Sequence, residues 1–373
     1  MKILYVTTIG STMGFFTDLI KKLLYDGHTV DIATNESISK IPENCNDLDC
    51  KVYNIDCSRN PLSRYNLNVI KQLKRIVKEN QYDIVHCHTP VAAALTRLAC
   101  RKLRKNGTKV FYTAHGFHFY KGAPLINWLI YYPIEKICSY MTDVLITINR
   151  EDYLRACKKM KAQRIEYVKG VGINIEKFRD FEFEECERDR YREELGVPSD
   201  AQLLVSVGEL NANKNHQVVL KAISLLDDIN IHYTIAGEGD NAQNLENLAK
   251  ELGISDRFHL LGRRNDIEKL YKAADICCFP SIREGLGLAA LEGMASGLPL
   301  VVADNRGTRD LCENGANGFV CNPNSPEEFA KAITKVLKDS YITKKMKQAN
   351  IKKSEEFDVK IINENMLKIY GIL

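Results

Sequence analysis

Short apolar runs alternate with helically spaced apolar residues from one end of the chain to the other. Residues 3–6 read as a strand. Phe16, Leu19, Ile20, Leu23 and Leu24 follow at the three-and-four spacing that lines one helix face, and Gly27 ends that helix. Strands are predicted at 30–33, 52–55, 84–87, 110–112 and 144–148, with helices over 70–77, 90–105 and 125–140 between them. Alternation with crossovers of this length calls for parallel strands covered by helices on both faces.

Around residues 170–200 the alternation breaks. A charged run at 180–190, closed by Gly196-Val-Pro198, reads as the boundary between two domains. The pattern then restarts, with strands at 203–207, 231–236, 258–261, 276–279 and 300–302 and helices over 214–226, 241–252, 266–274 and 287–296. Terminal helices are predicted over 327–338 and 341–370, with a break near Phe357-Asp358. The expected fold is therefore α/β: two tandem doubly wound (Rossmann-like) domains, 1–175 and 176–355, facing a central cleft. The C-terminal helix, 356–373, is expected to pack back on the first domain. Open sheets of this kind bind ligands at their carboxyl edges, which suits an enzyme joining two substrates, one per domain.

Composition narrows the class. With 373 residues, 45% apolar and 27% charged, the chain is neither disordered, collagenous nor a coiled coil. Its longest mostly apolar run, residues 123–134, falls short of the roughly twenty a membrane-spanning helix needs. The first residues lack the apolar length and cleavage site of a signal peptide, so a cytoplasmic protein is expected. The twelve cysteines are scattered, without Cys-x-x-Cys, and read as free thiols in a reducing compartment. The net charge of +4 hides an asymmetry: residues 1–170 hold 26 Lys+Arg against 15 Asp+Glu. Such a basic half either meets an anionic partner or reflects surface charge drifting between domains.

The most informative stretch is Pro280-Ser-Ile-Arg-Glu284-Gly-Leu-Gly287-Leu-Ala-Ala-Leu-Glu292. A buried strand ends, a loop with Gly285 and Gly287 follows, and a helix starts. Backbone N–H groups at a helix start form an anion site, and glycine lets a phosphate approach closely. Glu284 and Glu292 beside such a site make sense if they hold sugar hydroxyls; the alternative is a capping and a solvated glutamate.

The spacing Glu284-(seven residues)-Glu292 in this setting resembles the Glu-x7-Glu motif of the family 4 retaining glycosyltransferases, which have the GT-B fold. Other segments resemble the family in register: Val207-Gly208-Glu-Leu-Asn-Ala-Asn-Lys214, Ile235-Ala-Gly237-Glu-Gly239, Leu261-Gly262-Arg263, Asp83-Ile-Val-His86-Cys-His88-Thr-Pro90 and Thr113-Ala-His115-Gly116. The likeness covers essentially the whole chain. It is nearest to bacterial polysaccharide and glycan-assembly transferases that use nucleotide-sugar donors.

The resemblance implies a hexosyl- or N-acetylhexosaminyl-type transferase acting on a nucleotide sugar, a UDP-sugar as is usual in the family, and a saccharide acceptor that is lipid-linked. No metal or other cofactor is implied. Lys214, at the Gly208 strand end, and the amides near Gly287 and Leu288 would bind the donor diphosphate. Glu292 would take the ribose, Glu284 the transferred sugar, and Arg263 the base or phosphates. His115 would contact the sugar or acceptor, and the Gly10–Gly14 loop would face the diphosphate. One departure is visible: the family commonly has arginine where this chain has Glu209, and Arg283 is assigned the missing guanidinium.

Asp47-Leu-Asp49 has the spelling of a metal-binding Asp-x-Asp but lies far from the donor motifs. His86 and His88 share one strand face with Cys87 on the other, so the three do not converge on one ion. Arg97, Arg101, Arg104 and Lys105 are read on one helical face, near the aromatic segment 117–132. That combination either docks on an anionic membrane surface or is a solvated face beside a core helix. A sugar-nucleotide 2-epimerase and an inactive nucleotide-sugar-binding partner are the competing functions. Nucleic acid is not an expected partner, because no recognition motif accompanies the charge.

Overall fold

The computed structural model describes residues 1–61, 63–226 and 230–373. The chain forms two compact units, 1–171 with 362–373, and 172–361. Unit 1 holds β1 (Lys2–Val6), β2 (Thr29–Thr34), β3 (Val52–Asn54), β4 (Ile84–His88), β5 (Lys109–Ala114), β6 (Val144–Thr147) and β7 (Arg164–Tyr167). They pair in parallel in the order β3-β2-β1-β4-β5-β6-β7, which changes direction between β1 and β4.

Strand alternation sorts the side chains into two layers. Leu4, Val6, Val85, Cys87 and Val110 join one core, and Ile3, Tyr5, Ile84, Phe111 and Ile146 the other. His86 and His88 therefore share the second face, where Ile362, Met366, Leu367 and Tyr370 of the helix Val359–Tyr370 cover the sheet. Tyr370 Oη lies 2.7 Å from Tyr5 Oη and 2.6 Å from His86 Nδ1, so this last helix is fastened by buried polar contacts as well as by apolar area.

Unit 2 holds β8 (Gln202–Val207), β9 (Ile231–Ala236), β10 (Phe258–Leu260), β11 (Ile276–Phe279), β12 (Leu300–Ala303) and β13 (Gly318–Cys321). Their order is β10-β9-β8-β11-β12-β13, again parallel, with the change of direction between β8 and β11. All twelve cysteines are free thiols.

Two sequence expectations are corrected here. The charged run at 180–190, read as the domain boundary, lies inside unit 2, which begins at residue 172, and leads into the helix Glu187–Glu194. Arg192 of that helix is buried, bonded to Asp275 Oδ2 at 2.6 Å and to the carbonyls of Ala273, Ser199 and Ala201. A guanidinium with its donors satisfied can be buried where a free one cannot.

The second correction concerns the basic face on Arg97, Arg101, Arg104 and Lys105. The helix expected over 90–105 ends at Cys100. Arg97 is buried, its Nη1 donating to Glu135 Oε2 at 2.8 Å, with its guanidinium 4.2 Å over the Tyr112 ring. Arg104 pairs with Asp143 at 2.6 Å. Only Arg101 and Lys105 remain as exposed cations of that set.

Candidate active site

In unit 2 the strand order turns between two central strands, so the loops leaving β8 and β11 diverge to opposite sides and leave a crevice at their carboxyl ends. The two loops are stitched together. Ile282 N donates to Asn213 O at 2.8 Å, and Asn213 Nδ2 to Arg283 O at 3.0 Å. Asn211 Oδ1 accepts from Lys214 N at 3.0 Å and sets where the lysine leaves the backbone.

Lys214 Nζ then reaches Glu284 Oε1 at 2.8 Å, with the ammonium 5.2 Å from the Phe279 ring centroid. Both side chains are about four-fifths buried, at 21% and 18% exposed, so their pairing is screened less than a surface ion pair. Two glycines make the closeness possible. A Cβ on Gly237, which follows β9, would sit 1.9 Å from Gly208 O. Gly287 has φ +100°, and a Cβ there would lie 2.8 Å from Phe279.

The helix Leu288–Ala295 starts directly after Gly287, so its first amides open at this crevice. Glu292 lies within it, half-buried, and accepts from Tyr271 Oη at 3.5 Å. Burial raises its pKa to about 7, against smaller lowering by Lys177 and the Tyr271 hydroxyl. A carboxyl shifted this far by its surroundings, at the open end of a sheet, marks a candidate functional group.

The remaining residues expected on the donor side are placed less tightly. Arg263 and Arg283 are exposed, and among the described residues neither has an ion-pair partner. Glu209 is exposed and accepts from Asn211 Nδ2 at 2.9 Å. Gly285 lies in the β11 loop, and Leu288 opens the helix.

Sequence reasoning missed the fasteners behind this loop. Asn305 donates Nδ2 to Ser281 O at 2.7 Å and accepts from the amides of Gly307 and Thr308. Arg306 Nε donates to Glu284 O at 3.2 Å. The signal was available: Asp304-Asn305-Arg306-Gly307-Thr308 at a strand end is a turn sequence in which the asparagine side chain can bond amides two and three residues on.

In unit 1, His115 follows β5. It lies 3.1 Å from His88 Nδ1 through its own Nε2 and lines a pocket with Phe16, His88 and Thr113. Burial lowers its pKa to about 4, so the ring is neutral near pH 7. His86 is held neutral in the same way, bonded to Thr113 Oγ1 at 2.8 Å, and His88 Nε2 is buried without a hydrogen-bond partner. Gly10 and Gly14 lie in the turn Gly10–Phe16, where the Gly10 amide donates to Ser39 O at 3.0 Å. Asp47 and Asp49 are exposed near the turn Glu43–Asn46.

Two doubly wound parallel units, the second with a lysine, two glutamates and a helix start at its switch point, define a GT-B-type α/β enzyme. The likeness to solved structures agrees: Anabaena HepE, crystallised with UDP-glucose, superposes with a TM-score of 0.80 over 100% of both chains at 20% identity. The chain belongs to the family 4-type glycosyltransferases. Residues 2–149 match the family described as "Glycosyl transferase 4-like", and residues 187–354 match "Glycosyl transferases group 1". Bacillus subtilis (strain 168) EpsD, which carries a glycosyltransferase name, is 40% identical over 99% of this chain and 96% of its own length. An Escherichia coli protein named UDP-Gal:alpha-D-GlcNAc-diphosphoundecaprenol alpha-1,3-galactosyltransferase is 29% identical over 74% of this chain and 73% of its own. The chain is thus a glycosyltransferase that acts on nucleotide sugars in glycan biosynthesis.

Proposed function

We propose that the chain moves a hexosyl or N-acetylhexosaminyl group, with retention, from a UDP-sugar to a hydroxyl of a saccharide carried on a lipid diphosphate. The setting would be cell-surface polysaccharide assembly at the cytoplasmic face of a membrane. The observation that carries this reading is the Lys214–Glu284 contact at the turn of the sheet order, with the helix start at Gly287 beside it. The HepE complex with UDP-glucose and the name of the Escherichia coli relative support a UDP-sugar and a lipid-diphosphate acceptor.

As the bond from the sugar C1 to the phosphate oxygen breaks, negative charge gathers on the leaving diphosphate and positive charge on C1. Lys214 and the amides after Gly287 meet the diphosphate charge, and Arg263 and Arg283 add to them. Charges fixed before the reaction need no reorganisation at the transition state. Glu284 exchanges Lys214 for hydroxyls of the transferred sugar, and Glu292 accepts from the ribose. From unit 1, neutral His115 hydrogen-bonds the sugar or acceptor, and the Gly10–Gly14 turn serves the diphosphate. The acceptor hydroxyl forms the new bond to C1 and passes its proton to the departing phosphate oxygen.

A thermal-shift screen of nucleotide sugars, followed by transfer of the best donor to a lipid-diphosphate saccharide in EDTA, tests the reading. A UDP-sugar hit with product formed is expected. Stabilisation only by other nucleotides, or a product that needs added Mn²⁺, would sink it.

A further inference from the structure

The helix Leu125–Ser139 is built inside out. Its carboxylate, Glu135, faces the domain, paired with buried Arg97 and accepting from Tyr112 Oη at 3.1 Å. Trp128, Tyr131 and Tyr132 pack against the core on the same side. The opposite side carries Leu125, Ile126, Leu129, Ile130, Ile134 and Ile137, with no carboxylate among them. Leu125 is 81% exposed, Leu129 71%, Ile137 61% and Ile126 56%. Single exposed apolar residues are ordinary, but six along one helix face form a patch that calls for a partner.

The charge around the patch says which partner. Exposed Lys121 precedes the helix. At its other end stand exposed Lys158, Lys159 and Lys161, placed by Lys161 N donating to Ser139 Oγ at 2.9 Å and by Lys136 Nζ donating to Lys159 O. Among the described residues none of these four has an ion-pair partner. A convex aliphatic strip with unpaired lysines at both ends matches a surface whose phosphates overlie an apolar interior. A second copy fits poorly, since a two-fold pairing would press two lysine-rimmed faces together, and the carboxylate beside Lys121, Glu151, is already paired with Arg155. No described helix is long and apolar enough to cross a membrane.

We propose that this helix docks the protein on an anionic bilayer. Leu125, Ile126, Leu129, Ile130 and Ile137 enter the boundary between headgroups and acyl chains, and Lys121, Lys158, Lys159 and Lys161 meet lipid phosphates. This rests on the lipid-carried acceptor proposed above and names the element that meets the membrane carrying it. The arginines at 97 and 104 take no part, being engaged inside the domain.

Flotation of the full chain with phosphatidylcholine vesicles, with and without phosphatidylglycerol, tests it. The wild type should float with the anionic vesicles and lose binding in high salt. The triple variant Leu125→Gln, Ile126→Gln, Leu129→Gln should bind both vesicle types at least about tenfold more weakly. Lys158→Gln, Lys159→Gln, Lys161→Gln should lose about fivefold per lysine, on anionic vesicles only. Emission of Trp128, the one tryptophan in the chain, should be unchanged in buffer and show that each variant folds there. Wild type that stays with the aqueous phase, or a folded apolar variant that floats like wild type, overturns the proposal. So does a wild-type dimer that the apolar variant dissolves without any lipid binding. A wild type that floats but gains no stability from any UDP-sugar would keep the docking and remove the donor reading instead.

Discussion

Glu292 sits where a carboxyl group pays for burial with its proton affinity, and that has two measurable consequences. Its folded pKa is about 7 against an ordinary 4.5, so between those values the folded state binds more protons than the unfolded one. Its contribution to stability is therefore most favourable below the lower value and declines as pH rises through the upper. Ligand binding should run the other way: if Glu292 takes the ribose as proposed, its hydroxyls donate to the ionised form, and UDP affinity should rise as pH passes through about 7. Titration calorimetry of UDP across that range should show the step, and Glu292→Gln should abolish it. A step that survives in the variant belongs to another group. Arg283 and Glu209 offer a second test at this scale. Arg283 is exposed without an ion-pair partner among the described residues, and Glu209 is engaged by Asn211. If Arg283 stands in for the family's usual arginine, Arg283→Lys should stay impaired in UDP binding, because the two-pronged contact is lost with the charge kept. Glu209→Arg should partly rescue Arg283→Ala. A double variant no tighter than Arg283→Ala alone removes the compensation.

Among the elements, the buried pair Arg97–Glu135 ties the helix Pro90–Cys100 to the helix Leu125–Ser139. Removing one partner strands the other charge, so Arg97→Met should cost on the order of 3–5 kcal/mol in urea unfolding. Adding Glu135→Leu should restore most of it. A loss below about 1 kcal/mol in the single variant would mean that the pair is solvated and not part of the core. The same helices show where sequence reading stops. Central strands such as β4 and β11 are legible because both faces are covered and their runs are short and bounded. The edge strand β7, Arg164-Ile-Glu-Tyr, lacks that run, being half-covered, and was not predicted; nor was β13, four residues in a turn-rich stretch. Periodicity put Arg97 on a helix but not on a side, because a buried arginine and a solvated one have the same spacing. The aliphatic face of Leu125–Ser139 stayed ambiguous between docking and core for the converse reason: an apolar stripe reads the same in both until its neighbours are known.

Over the whole molecule, the tandem α/β architecture and the donor motifs were legible because each motif follows a predicted strand, where a doubly wound sheet opens its loops. The loop fasteners Asn213 and Arg306 were not, since their partners are backbone carbonyls distant in sequence, whereas the local half of the Asn305 bonding, to the amides of Gly307 and Thr308, is a turn pattern the sequence carries. The basic surplus of residues 1–170 was legible as a number, but its placement was not: Arg97, Arg104 and Arg155 are consumed in ion pairs, while the lysines at 158, 159 and 161 are free to act outward. These features converge on Lys214 as the proposed carrier of the leaving diphosphate's charge. The direct measurement is the transfer rate of Lys214→Ala at saturating UDP-sugar in EDTA, with folding verified by its unfolding temperature. The account predicts a fall in kcat on the order of 10²–10³-fold, the usual loss when one preorganised charge donor is removed. A folded variant that turns over near the wild-type rate would contradict it.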